Sequence, residues 1–177
     1  SAITPDNMVL PVKQTFVEDG VADFPMYACS ESTHLEFKNI CGILRISIKA
    51  KDASDVKVSS ISVSAEKGMS GSFVLDRDCS AVVGGSDGVV LECEKPVNLY
   101  TSSYKAFNVI LPPGEYESMK VGIRTGNGDD INLEANGTIK IDRSSITHVK
   151  ISLGEFAFDS SLEMVPVVDS DVEFTER

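Results

Sequence analysis

The sequence predicts an all-β protein, an antiparallel β-sandwich with extended segments at its ends. Apolar and polar residues alternate with a period of two through most of the chain, as in strands that bury one face. Stretches rich in glycine and asparagine separate these runs, and such residues adopt the positive φ angles of tight turns. No run shows a sustained helical period. We therefore expect about seven or more short strands in two packed sheets.

The length allows one generous domain. A chain of 177 residues with 42% hydrophobic residues can bury a single core, since domains usually hold about 100 to 200 residues. We predict an extended N-terminal segment over 1–33, made of edge strands or the remnant of a preceding domain. A β-sandwich domain is expected over 34–155, followed by a C-terminal strand or arm over 156–177.

The alternation identifies the strands in order. The clearest run, "LRISIK", places Leu44, Ile46 and Ile48 on one face. Further strands are predicted at "SISVSA" (60–65), "VVLEC" (89–93), "FNVIL" (107–111), "YESMKVGIR" (116–124), "DINLEA" (130–135), "TIKID" (138–142) and "HVKISL" (148–153). Asn136-Gly137 is the strongest hairpin signal, and it predicts that the strands on either side of it pair with each other.

The charge disfavours a nucleic-acid partner. The formal net charge is −11, from 27 acidic and 16 basic residues, so phosphate groups would be repelled. No apolar run approaches the roughly 18 residues of a membrane-spanning helix. We therefore expect no nucleic-acid partner and no membrane-spanning helix.

No catalytic, cofactor-binding or metal site is predicted. The two histidines, His34 and His148, accompany no motif that would activate a nucleophile. "TGNGDDIN" offers Asn127, Asp129 and Asp130 as oxygen ligands, but it lacks the spacing and the terminal glutamate of an EF-hand loop. A glycine-rich acidic hairpin is the simpler interpretation, and we expect a non-enzymatic protein.

The four cysteines leave two interpretations open. Cys29, Cys41, Cys79 and Cys93 lack the short paired spacing of a zinc or redox site. An even number permits two disulfides in an oxidising compartment. Cys41 and Cys93 lie within apolar strand-like runs, where buried free thiols are equally expected.

The C-terminal tail is a candidate assembly segment. Val165, Val167, Val172 and Phe174 keep it apolar at intervals despite the acidic residues between them. That pattern is typical of an extended strand or a wrapping arm.

Tyr100 and Tyr104 are candidate ligand contacts. They are the closely spaced tyrosines of a chain that has no tryptophan, and exposed aromatic rings can flank a sugar. The same residues also fit the start of a strand.

The stretch "NVILPPGEY" predicts a sharp corner. Pro112 and Pro113 lack amide donors and end the strand, while Gly114 allows the chain to reverse. We expect the ring of Tyr116 to pack on the core with its hydroxyl in water.

Taken as an ordered set, several blocks resemble the fimbrillin-type surface proteins of Bacteroides and relatives. They are "DFPMYACSES" (23–32), "LEFKNICGILRISIKA" (35–50), "SSISVSAEKGMSGSFVLD" (59–76), "FNVILPPGEY" (107–116) and "TIKIDRSSITHVKISL" (138–153). The resemblance implies a transthyretin-like or Ig-like Greek-key sandwich.

It also implies export through a lipoprotein precursor to the outer membrane and cell surface, and assembly into a pilus by strand exchange. The partners implied are like or related fimbrial subunits and a host or bacterial surface ligand. The resemblance implies contact with a membrane only through a lipid anchor outside this chain. A surface lipoprotein module that binds carbohydrate or another ligand is the alternative.

Overall fold

A computed structural model describes residues 8–28, 37–50, 56–75, 81–135, 137–153 and 163–173, with the backbone alone for Val83 and 163–173. Within these residues the chain forms strands and no helix. The strands are β1 Met8–Leu10, β2 Lys13–Thr15, β3 Met26–Ala28, β4 Phe37–Asn39, β5 Gly42–Ala50, β6 Lys57–Ser64, β7 Gly71–Leu75, β8 Ala81–Val83, β9 Gly88–Asn98, β10 Lys105–Leu111, β11 Gly114–Tyr116, β12 Lys120–Thr125, β13 Asp130–Ala135, β14 Ile139–Ile141, β15 Ser145–Leu153 and β16 Glu163–Glu173.

Nine strands form one continuous hydrogen-bonded series, in the order β10-β5-β15-β16-β13-β12-β6-β9-β2. Side chains from β10, β5 and β15 pack in one core with side chains from β13, β12, β6 and β9. The two groups of strands are therefore the two layers of a sandwich, and β16 joins them. The predicted all-β sandwich is confirmed.

The sheets are mixed, although an antiparallel arrangement was expected throughout. β5 and β15 run parallel over eight residue pairs, from Ile146 opposite Ile43 to Leu153 opposite Ala50. β2 with β9, and β13 with β16, are also parallel. These partners are distant in sequence, so no short hairpin turn forces them to be antiparallel.

The period-two alternation places the predicted residues in the core. Leu44, Ile46 and Ile48 of β5 are each 0% exposed, and Ile61 and Val63 face them from the other layer. Burying each such side chain contributes about 1.5–3 kcal/mol. The alternation thus fixes the side-chain register, since a slip of one residue would turn these groups to solvent.

A second, smaller cluster covers the other side of β10. Ile110, Leu10 and Phe73 pack together there with Ile40, Cys41 and Ala81. The three-stranded sheet β1-β7-β8 supplies much of this layer. β1, β2 and β3 fall in the predicted N-terminal segment, whose boundaries stay a prediction.

Gln14 covers the outer edge of β10. Its side-chain amide donates to the carbonyl oxygen of Ile110 at 2.8 Å and accepts from the Ile110 amide at 2.9 Å. The Gln14 side chain thereby makes the two hydrogen bonds that a neighbouring strand would make with Ile110. Free sheet edges invite pairing with other chains, and here the N-terminal segment occupies part of that edge.

One turn prediction and one strand prediction are wrong. β13 pairs with β12 and β16, and β14 pairs with β11, so the predicted hairpin around Asn136-Gly137 does not form between them. Asn136 itself lies outside the described residues, and Gly137 has a φ of 117°. The turn instead carries the chain from one sheet to another. The predicted strand over 116–124 is also divided, because Ser118 has a φ of 48° and β12 begins only at Lys120.

Strand β10 ends at Leu111, directly before the two prolines, as predicted, but the polar contact of this corner differs from the prediction. The tyrosine ring is buried in the core, yet the Tyr116 hydroxyl is not in water: it donates to the carbonyl oxygen of Pro112 at 2.7 Å. Burial, with a smaller electrostatic contribution from Cys41, raises the pKa of this hydroxyl above its usual range. The hydroxyl therefore ties the corner to the core.

Replacing Tyr116 with phenylalanine should lower the free energy of unfolding by about 1–3 kcal/mol, because the buried Pro112 carbonyl would lose its donor. Urea denaturation followed by circular dichroism measures the change. Tyr100→Phe is the matched control, since that ring is 53% exposed, and it should change stability by less than about 0.5 kcal/mol. Equal stability of the two variants would contradict the role assigned to the Tyr116 hydroxyl.

Candidate functional site

A surface cleft of about 480 Å³ opens at one end of the sandwich. Its volume lies within the range of small-ligand sites, roughly 300–1,000 Å³. The residues that line it come from the N-terminal segment, from β9 and the turn after it, and from the start of β10. They are Phe16, Glu18, Glu94, Lys95, Pro96, Val97, Asn98, Tyr100 and Lys105.

An irregularity in β9 shapes one wall of this cleft. Val58 of β6 pairs with Val97, and Ser60 pairs with Glu92. One residue of β6 is therefore opposite the four residues 93–96 of β9. A bulge of this kind bends a strand and redirects its side chains, and proline is tolerated there because no amide is needed. The bulge places Glu94, Lys95 and Pro96 on the cleft wall.

Phe16 and Lys105 form the opposite side of the cleft. The Phe16 ring contacts the core residue Phe107, with ring centroids 5.2 Å apart and planes tilted by 43°. The Lys105 ammonium lies 6.0 Å from the Phe16 centroid and pairs with the Glu18 carboxylate. Because 18% of the Lys105 side chain is exposed, the ion pair is partly shielded from solvent. This side of the cleft is therefore anchored to the core.

The structure separates the two predicted tyrosines. Tyr100 lines the cleft and is 53% exposed, and its carbonyl oxygen accepts from the Ala50 amide at 3.1 Å. Tyr104 is 43% exposed but does not line the cleft. A ligand in the cleft would contact Tyr100 without Tyr104.

Tyr104 is the centre of a separate cluster. The ammonium groups of Lys49 and Lys150 lie 5.4 and 5.8 Å from its ring centroid, within cation–π range. Its hydroxyl shares a hydrogen bond of 3.2 Å with the Ser152 hydroxyl. These contacts hold the ring between two strands, β5 and β15, that are hydrogen-bonded neighbours.

The candidate assembly segment lies partly in β16. Val165, Val167 and Val172 belong to this strand, and Phe174 lies outside the described residues. Val165 is opposite Lys150 and Val167 is opposite His148 of β15. The described part of the tail, 163–173, is thus an extended strand, and it lies inside the main series of strands.

The two described cysteines are free thiols. Cys41 is buried in the smaller cluster, and this desolvation raises the pKa of its thiol to about 12. Burial likewise raises the pKa of Cys93 to about 11. Both thiols are therefore protonated near neutral pH, which disfavours their reaction as nucleophiles. Cys29 and Cys79 lie outside the described residues.

The described residues contain no group of three or more histidine, cysteine or acidic side chains placed to hold a metal ion. Of the histidines, His148 lies in β15 and His34 is outside the described residues. In the described part of the chain there is also no helix with the length and hydropathy to cross a bilayer.

The sandwich is similar to solved bacterial structures. A candidate cell adhesion protein from Bacteroides ovatus matches with a TM-score of 0.52 at 8% identity, over 76% of this chain and 45% of that one. Candidate cell adhesion proteins from Bacteroides uniformis and Bacteroides fragilis match with TM-scores of 0.44 and 0.41, at 18% and 12% identity. These two matches cover 76% and 78% of this chain, and 52% and 48% of the matched chains.

At these identities the match to the Bacteroides ovatus protein indicates a shared fold and nothing further. The chain spans about half the length of the matched proteins. No protein-family model and no curated protein matches the sequence. The resemblance to fimbrillins therefore stays a prediction.

Most of the cleft could not be predicted from the sequence. Phe16, Glu18 and Lys105 are far apart in the chain, and no local pattern relates them. One signal was present: Lys95-Pro96 interrupts the alternation that begins at Val89, and proline within a strand indicates a bulge.

Burial should protect Cys41 from alkylation. Iodoacetamide at pH 8 should modify this thiol at least about 100-fold more slowly in the folded chain than in urea, because the reaction needs an exposed thiolate. Peptide mapping by mass spectrometry separates Cys41 from the other three cysteines. Modification of folded Cys41 at the unfolded rate would contradict its placement in the smaller cluster.

Proposed function

We propose that this chain is a non-enzymatic adhesive or structural protein of a bacterial cell surface. It is a fimbrial (pilus) subunit or fimbrillin-like component, and it joins neighbouring subunits by exchanging its C-terminal strand. The observation that carries this proposal is the position of β16. This last strand of the described chain lies between β15 and β13 and connects the two layers of the sandwich.

The pairing of β16 is suited to strand exchange between subunits. Strand β16 makes five residue pairs with β15, with an irregularity between Ser145 and Thr147, and two residue pairs with β13. Without β16, both partner strands would have a free edge. The tail of a neighbouring copy has the same sequence, so it could form the same main-chain hydrogen bonds in the same place.

The adhesive part of the proposal has separate support. The Bacteroides ovatus protein that shares the fold is a candidate cell adhesion protein. Because this chain covers 45% of that protein, its adhesive role, its surface location and its subunit partners are all part of the proposal.

Ligand binding is the second candidate function. The cleft favours it, because Tyr100 presents an exposed ring beside the carboxylates of Glu18 and Glu94 and the amide of Asn98. An aromatic platform with acceptors and donors around it can bind a sugar. If this candidate function is correct, a glycan should bind saturably, and its binding should depend on Tyr100.

Deleting residues 160–177 should destabilise the chain and change its association state. Seven residue pairs are lost with β16, five with β15 and two with β13. We expect the free energy of unfolding to fall by roughly 2–5 kcal/mol, with self-association through the exposed edges. Size-exclusion chromatography with light scattering and urea denaturation measure the two effects.

A peptide of residues 160–177 added to the truncated chain should restore both properties. The matched control is the same peptide with Val165→Asp and Val167→Asp, which should not bind. If the truncated chain keeps the size and stability of the full chain, or binds both peptides equally, strand exchange through this tail is contradicted.

A further inference from the structure

A groove of about 350 Å³ crosses the outer face of the sheet at β13, β12, β6 and β9. Its volume lies at the lower end of the range of small-ligand sites, roughly 300–1,000 Å³. The groove shares no lining residue with the cleft. Every residue that lines it belongs to one of the four strands, and side chains on strands are held more firmly than side chains on loops.

The strand register arranges the lining residues in two rows, because the members of each row are successive partners across the sheet. One row is Asn132, Gly122, Ser62 and Val90, and the other is Asp130, Arg124 and Ser60. Neighbouring strands are about 4.8 Å apart, so the first row extends over roughly 14 Å. The sheet therefore presents an elongated polar surface of fixed geometry.

Gly122 forms the floor of the groove. A Cβ atom at this position would lie 2.4 Å from the Ser62 hydroxyl oxygen and 3.3 Å from the Asn132 side-chain oxygen. These two side chains thus lean over the glycine from either side. The φ angle of Gly122 is not in the left-handed region, so the backbone conformation does not require glycine here. A glycine within a strand often marks a place where a ligand or another backbone approaches closely.

The groove has hydrogen-bonding groups that can serve a ligand. No side-chain hydrogen bond joins Ser60 or Asn132 to another described residue. Arg124 Nε lies 3.9 Å from Asp130 Oδ1, and the two side chains are 60% and 58% exposed. This separation is longer than a charge-assisted hydrogen bond of about 2.7–2.9 Å. Both charged groups therefore keep donors and acceptors for a bound molecule.

These groups suit a neutral ligand that carries several hydroxyls. The two charged side chains that line the groove are opposite in sign and are cross-strand partners, so an ionic ligand attracted by one would be repelled by the other. A hydroxyl both donates and accepts. Adjacent hydroxyls of one sugar ring can therefore donate to Asp130 and accept from Arg124, while Val90 offers an apolar contact for the ring face.

We propose that this groove binds a short neutral oligosaccharide, with Gly122 as its floor and Arg124, Asp130 and Asn132 as the groups that recognise the sugar hydroxyls. The site is additional to the cleft, and it depends neither on Tyr100 nor on strand exchange. Its elongated form across four strands fits a chain of sugar rings better than a single small molecule.

The test applies the full chain to an array of neutral and acidic glycans and measures the affinity of the bound glycans by isothermal titration calorimetry. We expect a neutral oligosaccharide to give the strongest signal. Its affinity should change by less than about twofold between 50 and 300 mM NaCl, because salt screens interactions between charges and the ligand carries none.

A pair of valine variants locates the site. Gly122→Val should weaken binding about 10-fold or more, because the new side chain occupies the floor of the groove. Valine suits a strand, so the variant should fold, and urea denaturation checks this. Lys120→Val is the matched control, since it places the same side chain on the same face of β12 but outside the groove. It should retain binding within about twofold.

A second variant tests the recognition groups without filling the groove. Asp130→Ala with Asn132→Ala removes one carboxylate and one amide from the exposed face of β13. The loss of their hydrogen bonds to the ligand should weaken binding about 10-fold. This double variant decides the question if Gly122→Val does not fold.

Each contrary result has a separate meaning. Equal weakening by Gly122→Val and Lys120→Val, or unchanged binding in the Asp130 and Asn132 double variant, would overturn the inference. Loss of binding in Tyr100→Ala but not in Gly122→Val would place the glycan in the cleft, which overturns the inference and leaves the ligand-binding candidate standing. Tighter binding of acidic glycans would overturn the ligand class. Binding of no glycan would overturn both the inference and that candidate, and strand exchange would be unaffected.

Discussion

The packing of β5 between its neighbours is the constraint on which the rest of this structure depends. Leu44, Ile46 and Ile48 are fully buried on one face of this strand, and Ile43 and Ser47 are buried on the other. β10 and β15 pair with β5 along most of its length. The register of β5 therefore sets which side chains of these three strands enter the core and which reach the surface.

The surface features follow from that register. Lys49 and Lys150 reach the outer side because their neighbours Ile48 and Ile151 occupy the core. Lys105 is the first residue of β10, opposite Ile48, where the strand enters the sandwich beside the cleft. A rigid core that presents side chains at one open end is a common way for a β-sandwich to carry a binding site.

β16 differs from the other strands of the main series. Pro166 lacks an amide donor at the position opposite Val149, and the pairing with β13 involves only Glu134 and Ala135. Fewer main-chain hydrogen bonds hold it than hold β5. A strand that completes the sheet yet is weakly held is physically suited to local opening.

The sequence was sufficient to predict the fold class and most of the core. Alternation reports local burial, so Ile61, Val121 and Ile151 could be placed without a structure. Partner choice depends on distant residues, and for this reason the parallel pairing of β5 with β15 and the absence of a hairpin after β13 could not be read locally. The buried hydrogen bond of Tyr116 was missed because the acceptor, the Pro112 carbonyl, turns inward only when the corner forms.

The candidate site was harder to predict than the core. Tyr100 and Tyr104 were identified from their spacing, but they lie in different surroundings. Tyr100 lines the cleft beside the bulge at 93–96, whereas the ring of Tyr104 lies near two lysines on neighbouring strands. Such proximity arises from sheet order, and no single stretch of sequence encodes it.

Hydrogen exchange of the full chain, followed by mass spectrometry or NMR, tests most directly whether β16 is a separable strand on a rigid sandwich. Amides of β5 and β6 should exchange only through global unfolding. Amides of β16 should exchange through local opening, at a free energy lower by about 2 kcal/mol or more. Equal protection of β16 and β5 under every condition would mean that the tail is part of one cooperative core, and it would contradict the central claim.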